Sequence, residues 1–321
     1  MQENTTNFTE LSSNIALKKV NNCPLCGTSH YDKIYVTRDR HYNIQGSFTI
    51  VRCRECSLVF IDPMPTEEGL VKLYPDDYYS YQDFFAEKKS FLKDLIKKIL
   101  LFNLGTKDPT FSAPGKILDI GCGSGNFLYS IREKGWDTYG VEVSLAGAKL
   151  GREAAGLKIF NGTLLEANFS NNYFDYIRSN HSFEHLVNPN EVLQEIYRIL
   201  KPDGKLMIGV PNIDSLNAKI FKKYWWYLGA PIHPCNYSVK TLLAMLKKHN
   251  FVIDKVNYNS DYSGILGSIQ IFFNRNSARL SSEGIFIKNY VLVVLFYWIA
   301  KILDLFRVGD AIEITCHKKE F

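Results

Sequence analysis

Four cysteines stand in two Cys-x-x-Cys pairs, a spacing that binds metal ions. Cys23 and Cys26 form the first pair and Cys53 and Cys56 the second, with residues 27–52 between them. Each pair makes a tight turn that presents both sulfurs on one side, so two pairs can complete a tetrahedral set of four thiolates. Soft thiolates in a site with no open position favour Zn2+. The spacing therefore predicts a structural zinc site, with a redox pair or an unloaded site as the alternatives.

Three glycines at alternating positions, Gly121, Gly123 and Gly125, form a turn that could bind a nucleoside. Residues 116–120 read Lys-Ile-Leu-Asp-Ile, a short apolar strand, and residues 121–126 read Gly-Cys-Gly-Ser-Gly-Asn. These glycines let the backbone turn sharply and approach a ligand closely. A helix that begins near Asn126 would bring its N-terminus to the same place.

Two carboxylates near this turn narrow the choice of ligand. Asp119 lies two residues before the first glycine, where it would repel a pyrophosphate but suit a tail that carries an ammonium and a sulfonium. The third glycine of the dinucleotide fingerprint is absent, because position 126 is Asn. Glu142 ends the next predicted strand, where an acid can bind both hydroxyls of a ribose. The pattern predicts a nucleoside with a zwitterionic, cationic tail.

Four ordered segments between residues 116 and 210 resemble the motifs of the class I S-adenosylmethionine-dependent methyltransferases. The matching segments are residues 117–125 for the first motif, 141–144 for the second, 172–177 with 183–189 for the fourth-strand region, and 199–204 for the turn before the fifth strand. The resemblance implies transfer of a methyl group from the sulfonium of S-adenosylmethionine (SAM) to a nucleophile. The protein would supply placement and desolvation.

The resemblance also implies which residues bind SAM. One departure is at Gly162-Thr163, where the family often has Gly-Asp, so a backbone N–H can still meet the adenine but a direct carboxylate contact is lost. The implied cofactor-binding residues are Asp119, Gly121, Cys122, Gly123, Gly125, Glu142, Val143, Thr163, Leu164 and Asn180.

Three histidines are candidates for a catalytic base, because imidazole titrates near neutral pH. His181 and His185 follow the fourth strand, where the transferred methyl group should point, and His233 stands between two prolines in a later loop. The alternative is that each holds its loop through hydrogen bonds to the backbone. The aromatic residues 225–227 could stack on a sugar or pack beneath the loop.

A second resemblance concerns the acceptor. Residues 51–65 and 74–79 are similar to the N-terminal zinc-binding module of sugar-modifying methyltransferases in bacterial polysaccharide and deoxysugar pathways. This implies a small-molecule acceptor, either a sugar or a nucleotide- or lipid-linked glycan precursor. Tyrosines could close over a sugar nucleotide or pack between domains, namely Tyr74, Tyr78, Tyr79 and Tyr81.

Two other functions remain open at this stage. One is a nicotinamide-dependent oxidoreductase, against which Asp119 and the missing third glycine both count. The other is a non-catalytic zinc-ribbon adaptor at a membrane or on RNA. That adaptor would bind SAM weakly or not at all.

The periodicity of residues 116–321 predicts the fold. Short apolar strands alternate with helices seven times, which is typical of a Rossmann-like, doubly wound, mostly parallel α/β sheet. The predicted organisation is a polar arm at 1–20, a zinc-ribbon module at 21–62, a linker or lid with an amphipathic helix at 63–115, and a methyltransferase domain at 116–321 with an apolar helical insertion at 275–308.

The composition limits the function classes. The 321 residues are 46% hydrophobic, enough to bury a large core, which excludes a disordered chain or a disulfide-stapled mini-protein. The net charge of +5 is too small to predict a nucleic-acid partner, and none is expected. The polar N-terminus has no signal-peptide pattern, so the expected location is the cytoplasm.

An apolar segment at residues 285–307 is the least usual stretch. Its uncharged core, residues 289–300, would span about 18 Å as a helix, less than the roughly 30 Å of a bilayer core. Three positions are possible for this helix: at the inner surface of a membrane, in a homodimer interface, or in the core against the sheet.

Overall fold

The computed structural model describes residues 15–42, 44–73, 114–276, 286 and 289–319. The amphipathic helix predicted in the 63–115 linker, which we place at residues 90–102, lies outside these residues, and so do the tyrosines at 74–81. In chain order the strands and helices are β1 Leu17–Lys18, β2 Tyr31–Thr37, β3 Phe48–Cys53, β4 Val59–Ile61, β5 Met64–Pro65, α1 Glu67–Val71, β6 Lys116–Ile120, α2 Asn126–Arg132, β7 Asp137–Glu142, α3 Leu145–Ala155, β8 Lys158–Asn161, β9 Phe174–Asn180, α4 Pro189–Ile199, β10 Leu200–Pro211, α5 Leu216–Phe221, β11 Cys235–Asn236, α6 Val239–Lys248, β12 Phe251–Tyr258, α7 Ser263–Phe273, α8 Tyr290–Leu305 and β13 Ala311–Lys318.

The central sheet confirms the predicted fold class. Its seven strands lie in the order β12-β13-β10-β9-β6-β7-β8. The pairs from β10 to β8 are parallel, and β13 runs antiparallel to both of its neighbours. Because β6 lies near the middle and its neighbours run the same way, the carboxyl ends of β6, β7 and β9 meet at one edge.

Local sequence signals explain where several helices begin and end. The Ser144 hydroxyl caps α3 by accepting the N–H of Gly147, and Gly156 ends that helix in the left-handed conformation at φ 60°. Ser238 and Thr241 form a reciprocal capping box at the start of α6. Helix α4 begins with Pro189, whose fixed φ suits the first helical turn.

The cysteine-bearing part is joined to the central sheet rather than separate from it. Strands β2, β3 and β4 form an antiparallel sheet whose fourth strand is β11, from residues 235–236. The buried side chains of Leu58 and Phe60 belong to the same core cluster as Leu118 and Ile177 of the central sheet. Residues 21–62, which we call the front module, therefore share one hydrophobic core with the domain that contains the central sheet.

The structure changes two details of the predicted elements. Residues 201–204, predicted as a turn, lie within the 12-residue strand β10, where the pairing with β9 shifts register between Leu200 and Lys205. Helix α7 is not predicted by the sequence, because its buried residues include glycines, a serine and a glutamine as well as apolar side chains and form no clear helical stripe. Together with α8 it forms the helical layer that precedes β13.

The apolar segment near the end of the chain forms α8, which packs on α7 through one face. Val293, Tyr297 and Ala300 are buried on that inner face. Among the residues that the structure describes, no helix combines the length and apolar character needed to cross a bilayer.

Candidate functional site

A cavity of about 440 Å³ opens at the carboxyl ends of β6, β7 and β9. The glycine turn after β6 borders it, together with Glu142 at the end of β7 and Asn180 and His181 at the end of β9. Helix α1, which follows the front module in the chain, closes another side through Leu70 and Val71. Ligands of parallel α/β sheets bind at this edge, and the volume falls in the range of about 300–1,000 Å³ that is usual for ligand pockets.

The glycine turn needs glycine for two separate reasons. Gly121 and Gly125 have φ angles of 71° and 81°, in the left-handed region that other residues rarely adopt. A Cβ on Gly125 would also come within 2.4 Å of a methyl carbon of Leu157. The turn therefore keeps the backbone close to the cavity while α2 packs tightly on the sheet.

Asp119 is paired with an arginine in the floor of the cavity. Nη1 of Arg178 donates to both carboxylate oxygens of Asp119 over 2.8 and 2.9 Å, and both residues line the cavity. Burial raises the pKa of Asp119, although the charge of Arg178 opposes this. The guanidinium also lies 4.0 Å from the centre of the Phe127 ring. The negative charge predicted at this position is thus balanced within the protein.

Glu142 is fixed in position by two backbone donors. The N–H of Gly123 donates to its Oε2 and the N–H of Ser144 to its Oε1, each over 2.8 Å. Burial raises the pKa of Glu142, while these two hydrogen bonds act in the opposite direction. Each oxygen keeps a second lone pair, so the carboxylate can accept hydrogen bonds from two neighbouring hydroxyls.

The remaining implied cofactor residues line the same cavity, namely Cys122, Val143, Thr163, Leu164 and Asn180. The exception in the predicted set is Gly125, which packs against Leu157 and is not among the lining residues. At Gly162-Thr163, where a backbone N–H is predicted to meet the adenine, the N–H of Thr163 donates to Glu166 Oε2 over 2.7 Å, and the Thr163 hydroxyl donates to the same oxygen over 2.8 Å. Glu166, which is exposed and does not itself line the cavity, thereby fixes the backbone and the hydroxyl of Thr163.

His181 lies at the mouth of the cavity beside a buried acid. Its backbone has φ 52°, and its Nδ1 is 3.5 Å from Oε1 of Glu184, which is only 2% exposed. Burial lowers the pKa of His181, but the hydrogen bond and charge of Glu184 outweigh burial, so the pKa lies above its ordinary value. The imidazole also stacks on Tyr227 with ring centres 6.1 Å apart.

The other two histidines form a neutral pair. The rings of His185 and His233 meet edge to face with centres 4.6 Å apart, and burial lowers the pKa of each to about 3. His185 borders the cavity, whereas His233 lies behind it, with Nδ1 2.9 Å from the carbonyl oxygen of Tyr227. A group with so low a pKa is a poor proton acceptor at neutral pH.

Two of the aromatic residues at 225–227 pack within the protein. Trp225 is buried and donates its indole N–H to Asp310 over 2.9 Å. Trp226 lies against Gly267 of α7, where a Cβ would come within 2.0 Å of the indole ring. Only Tyr227 reaches the region of the candidate base.

The four paired cysteines come together as the spacing predicted. Sγ of Cys23 is 3.5 Å from Sγ of Cys56, and Sγ of Cys26 is 3.4 Å from Sγ of Cys53. All four ligand atoms lie within 4.8 Å of one another. Four sulfurs about 2.3 Å from a tetrahedral ion would be about 3.7 Å apart, so the set fits a zinc ion.

Comparison with known proteins identifies the family. The model of the family described as "Methyltransferase domain" matches residues 84–256, more than half of the chain. The chain belongs to this family. Its seven-stranded sheet with an antiparallel β13 is a class I methyltransferase domain, and this finding decides against the nicotinamide-dependent alternative.

Several relatives and solved structures are similar to this methyltransferase domain. An uncharacterized protein of Methanocaldococcus jannaschii is 30% identical over 141 residues, covering 43% of this chain and 64% of that protein. A demethylmenaquinone methyltransferase of a Geobacillus species is 28% identical over 141 residues, covering 35% of this chain and 60% of that protein. The chain thus spans somewhat less than two thirds of the length of these two relatives. A SAM-dependent methyltransferase of Archaeoglobus fulgidus aligns in structure with a TM-score of 0.46 at 20% identity, covering 74% of this chain and 98% of that one.

Sequence reasoning missed three residues that shape the methyltransferase site. Arg178 lies 59 positions from Asp119, and nothing in the sequence links the two. Glu166 is three residues after Thr163, a short-range signal that was available but weak. Glu184 stands between the two histidines at 181 and 185, and its hydrogen bond and charge raise the pKa of His181.

Proposed function

We propose that this protein transfers a methyl group from SAM to a small-molecule acceptor. The observation that carries the proposal is the fixed Glu142 carboxylate beside the glycine turn, in one cavity of a methyltransferase domain. SAM supplies an electrophilic methyl group on a sulfonium. The residues of this chain bind that cofactor, exclude water and receive a proton from the acceptor.

Different residues of the cavity bind different parts of SAM. Glu142 accepts hydrogen bonds from the ribose hydroxyls, because both of its oxygens are held facing the cavity by backbone N–H groups. Asp119, whose charge Arg178 balances, offers carboxylate oxygens as hydrogen-bond acceptors for the ammonium of the tail, and Arg178 keeps that carboxylate in place. The apolar side chain of Leu164 provides part of the wall for a flat base.

His181 is the base in this proposal. It borders the cavity, its pKa is raised, and Glu184 orients it through Nδ1 at 3.5 Å. Nε2 is then the nitrogen that takes a proton from an acceptor hydroxyl or acidic carbon. His185 and His233 stay neutral at working pH and support the loop.

The proposed acceptor is a sugar or a nucleotide- or lipid-linked glycan precursor. Support comes from the resemblance of residues 51–65 and 74–79 to the module of sugar-modifying methyltransferases and from α1, between these two segments, which lines the cavity. A quinone-type acceptor is the second candidate, because several relatives are named demethylmenaquinone methyltransferases. The four cysteines hold a structural zinc ion in this proposal, since their sulfur distances suit one.

Calorimetric titration of the purified protein with SAM, and with NADH as a parallel control, tests the proposal. Micromolar binding of SAM alone is the expected result. If folded, zinc-loaded protein binds neither compound, the cofactor assignment is wrong and a non-catalytic adaptor becomes the better explanation. Acceptors are then screened by methyl transfer from labelled SAM, with sugar nucleotides in one panel and quinols in the other.

A further inference from the structure

Helix α8 presents a row of apolar side chains to solvent. These side chains recur at the spacing of one helical face, and their exposed fractions run from 47% to 83%. The row, which we call the α8 face, consists of Val291, Leu295, Trp298, Ile302 and Leu305. A helix on the surface of a protein ordinarily turns a polar side to water. Here the inner face packs on α7 and the outer face is apolar as well, which marks an interaction surface.

Neighbouring aromatic rings extend this surface beyond the helix. Phe306, directly after α8, is 73% exposed, and Phe273 at the end of α7 is 66% exposed. The ring of Phe273 stacks on Phe286, with centres 5.6 Å apart. Apolar and aromatic groups therefore continue from α8 to the end of α7.

The charges around the α8 face are mostly positive. Among the described residues of α5, α7, α8 and the turns that follow them, the exposed charged residues are Lys219, Lys222, Lys223, Arg275 and Arg307. One exposed acid, Asp214 directly before α5, lies near Arg307, since both influence the pKa of Tyr258. Within the elements named above the one acidic residue is Asp304, whose carboxylate is turned inward. It accepts hydrogen bonds from the N–H and the hydroxyl of Ser260 over 2.9 and 2.6 Å.

We propose that the α8 face docks on an anionic lipid surface, with α8 lying in the plane of the interface. Sixteen residues give a helix of about 24 Å, too short to cross the roughly 30 Å core of a bilayer but suited to its surface. The basic residues would contact the lipid head groups. A symmetric dimer through the same face would bring two basic rims together, so charge favours lipid over a second copy.

The docked surface connects to the candidate base through a short series of contacts. His181 stacks on Tyr227, and the Tyr227 hydroxyl is 2.7 Å from the hydroxyl of Ser263 at the start of α7. Helix α7 then packs on α8. Docking would thus hold the part of the site that contains His181, where the acceptor would lie in the proposed reaction, near the lipid surface. This step rests on the proposed methyl transfer and points to the lipid-linked class of acceptor.

Co-sedimentation with vesicles tests the docking without SAM or acceptor. The full-length, zinc-loaded protein is mixed with vesicles of phosphatidylcholine alone, or with one part phosphatidylglycerol to three parts phosphatidylcholine. Binding is expected only with the anionic vesicles and should weaken as salt rises. Leu305→Glu and Leu295→Glu should each weaken it about tenfold or more, because an apolar contact is replaced by a charge that anionic lipid repels. Arg307→Glu should weaken it by about fivefold or more.

Val252→Glu is the matched control, since Val252 is 40% exposed and lies on the edge strand β12, at the far end of β13 from α8. It should bind vesicles like the unmodified protein. Equal binding by Leu305→Glu and Val252→Glu would overturn the proposal, as would equal binding to both kinds of vesicle. Suppose instead that the unmodified protein does not bind vesicles, that light scattering shows it to be a dimer, and that Leu305→Glu is a monomer. The α8 face would then be assigned to self-association. Calorimetric SAM binding by Leu305→Glu, expected to be unchanged, separates failure of docking from failure of the cofactor site.

Discussion

Breaking the ion pair in the floor of the cavity should destabilise the fold strongly. Asp119 is 2% exposed and Arg178 is 9% exposed, so Asp119→Ala would leave a guanidinium buried without its counter-charge. Removing one partner of a buried ion pair costs about 3–5 kcal/mol. For a domain of this size each kcal/mol lowers the melting temperature by about 2–4 °C, so the expected decrease is about 6–20 °C.

The double variant Asp119→Ala/Arg178→Met shows whether unpaired charge causes that loss. Methionine keeps an apolar contact with Phe127, over which the guanidinium lies at 4.0 Å, but carries no charge. The double variant should therefore be more stable than Asp119→Ala alone. Thermal unfolding followed by circular dichroism, without SAM, compares Asp119→Ala, Arg178→Met and the double variant with the unmodified protein. The ion pair does not stabilise the fold as argued if Asp119→Ala melts within about 2 °C of the unmodified protein. The same conclusion follows if the loss of stability in the double variant equals the sum of the losses in the two single variants, since the two charges would then not stabilise each other.

Three other sites give direct tests. Glu142→Gln should weaken SAM binding about 10- to 100-fold by calorimetry, because the amide loses the charge and one acceptor for the ribose hydroxyls. Since the pKa of His181 is raised and its neutral form is the base, kcat should increase with pH through a pKa above about 6.5. Glu184→Gln removes the charge that raises this pKa, so the rise in kcat should move to lower pH. Cys53→Ser should lower the zinc content well below one ion per chain by elemental analysis, whereas Cys316→Ser should leave it unchanged.

Each of these tests has an outcome that contradicts it. Glu153→Gln on the exposed side of α3 is the control for Glu142, and equal SAM affinities in the two variants would remove Glu142 from the binding site. A pH profile that is the same with and without the Glu184 carboxylate would mean that another group is the base. Full zinc content after Cys53→Ser would refute the four-thiolate site.

Sequence patterns were informative where the signal is local. The alternation of apolar strands and helices indicates the doubly wound sheet because each short segment repeats at the period of its own structure. Gly121 to Gly125 and Glu142 can be recognised because a tight turn and the acid after the next strand occur at short, characteristic spacings. The sequence predicts the helix cap at Ser238 and the two Cys-x-x-Cys turns for the same reason, since each involves residues three positions apart.

Tertiary structure decided the features that depend on distant residues. The pairing of Asp119 with Arg178 joins neighbouring strands, and only their register brings the two side chains together. Three histidines were equivalent in the sequence, but burial and the nearby Glu184 give them different pKa values, which no local pattern encodes. The apolar sequence of α8 allowed core, partner or membrane. Packing on α7 used one face and left the other exposed, because the side of a largely apolar helix that becomes buried is chosen by its neighbours.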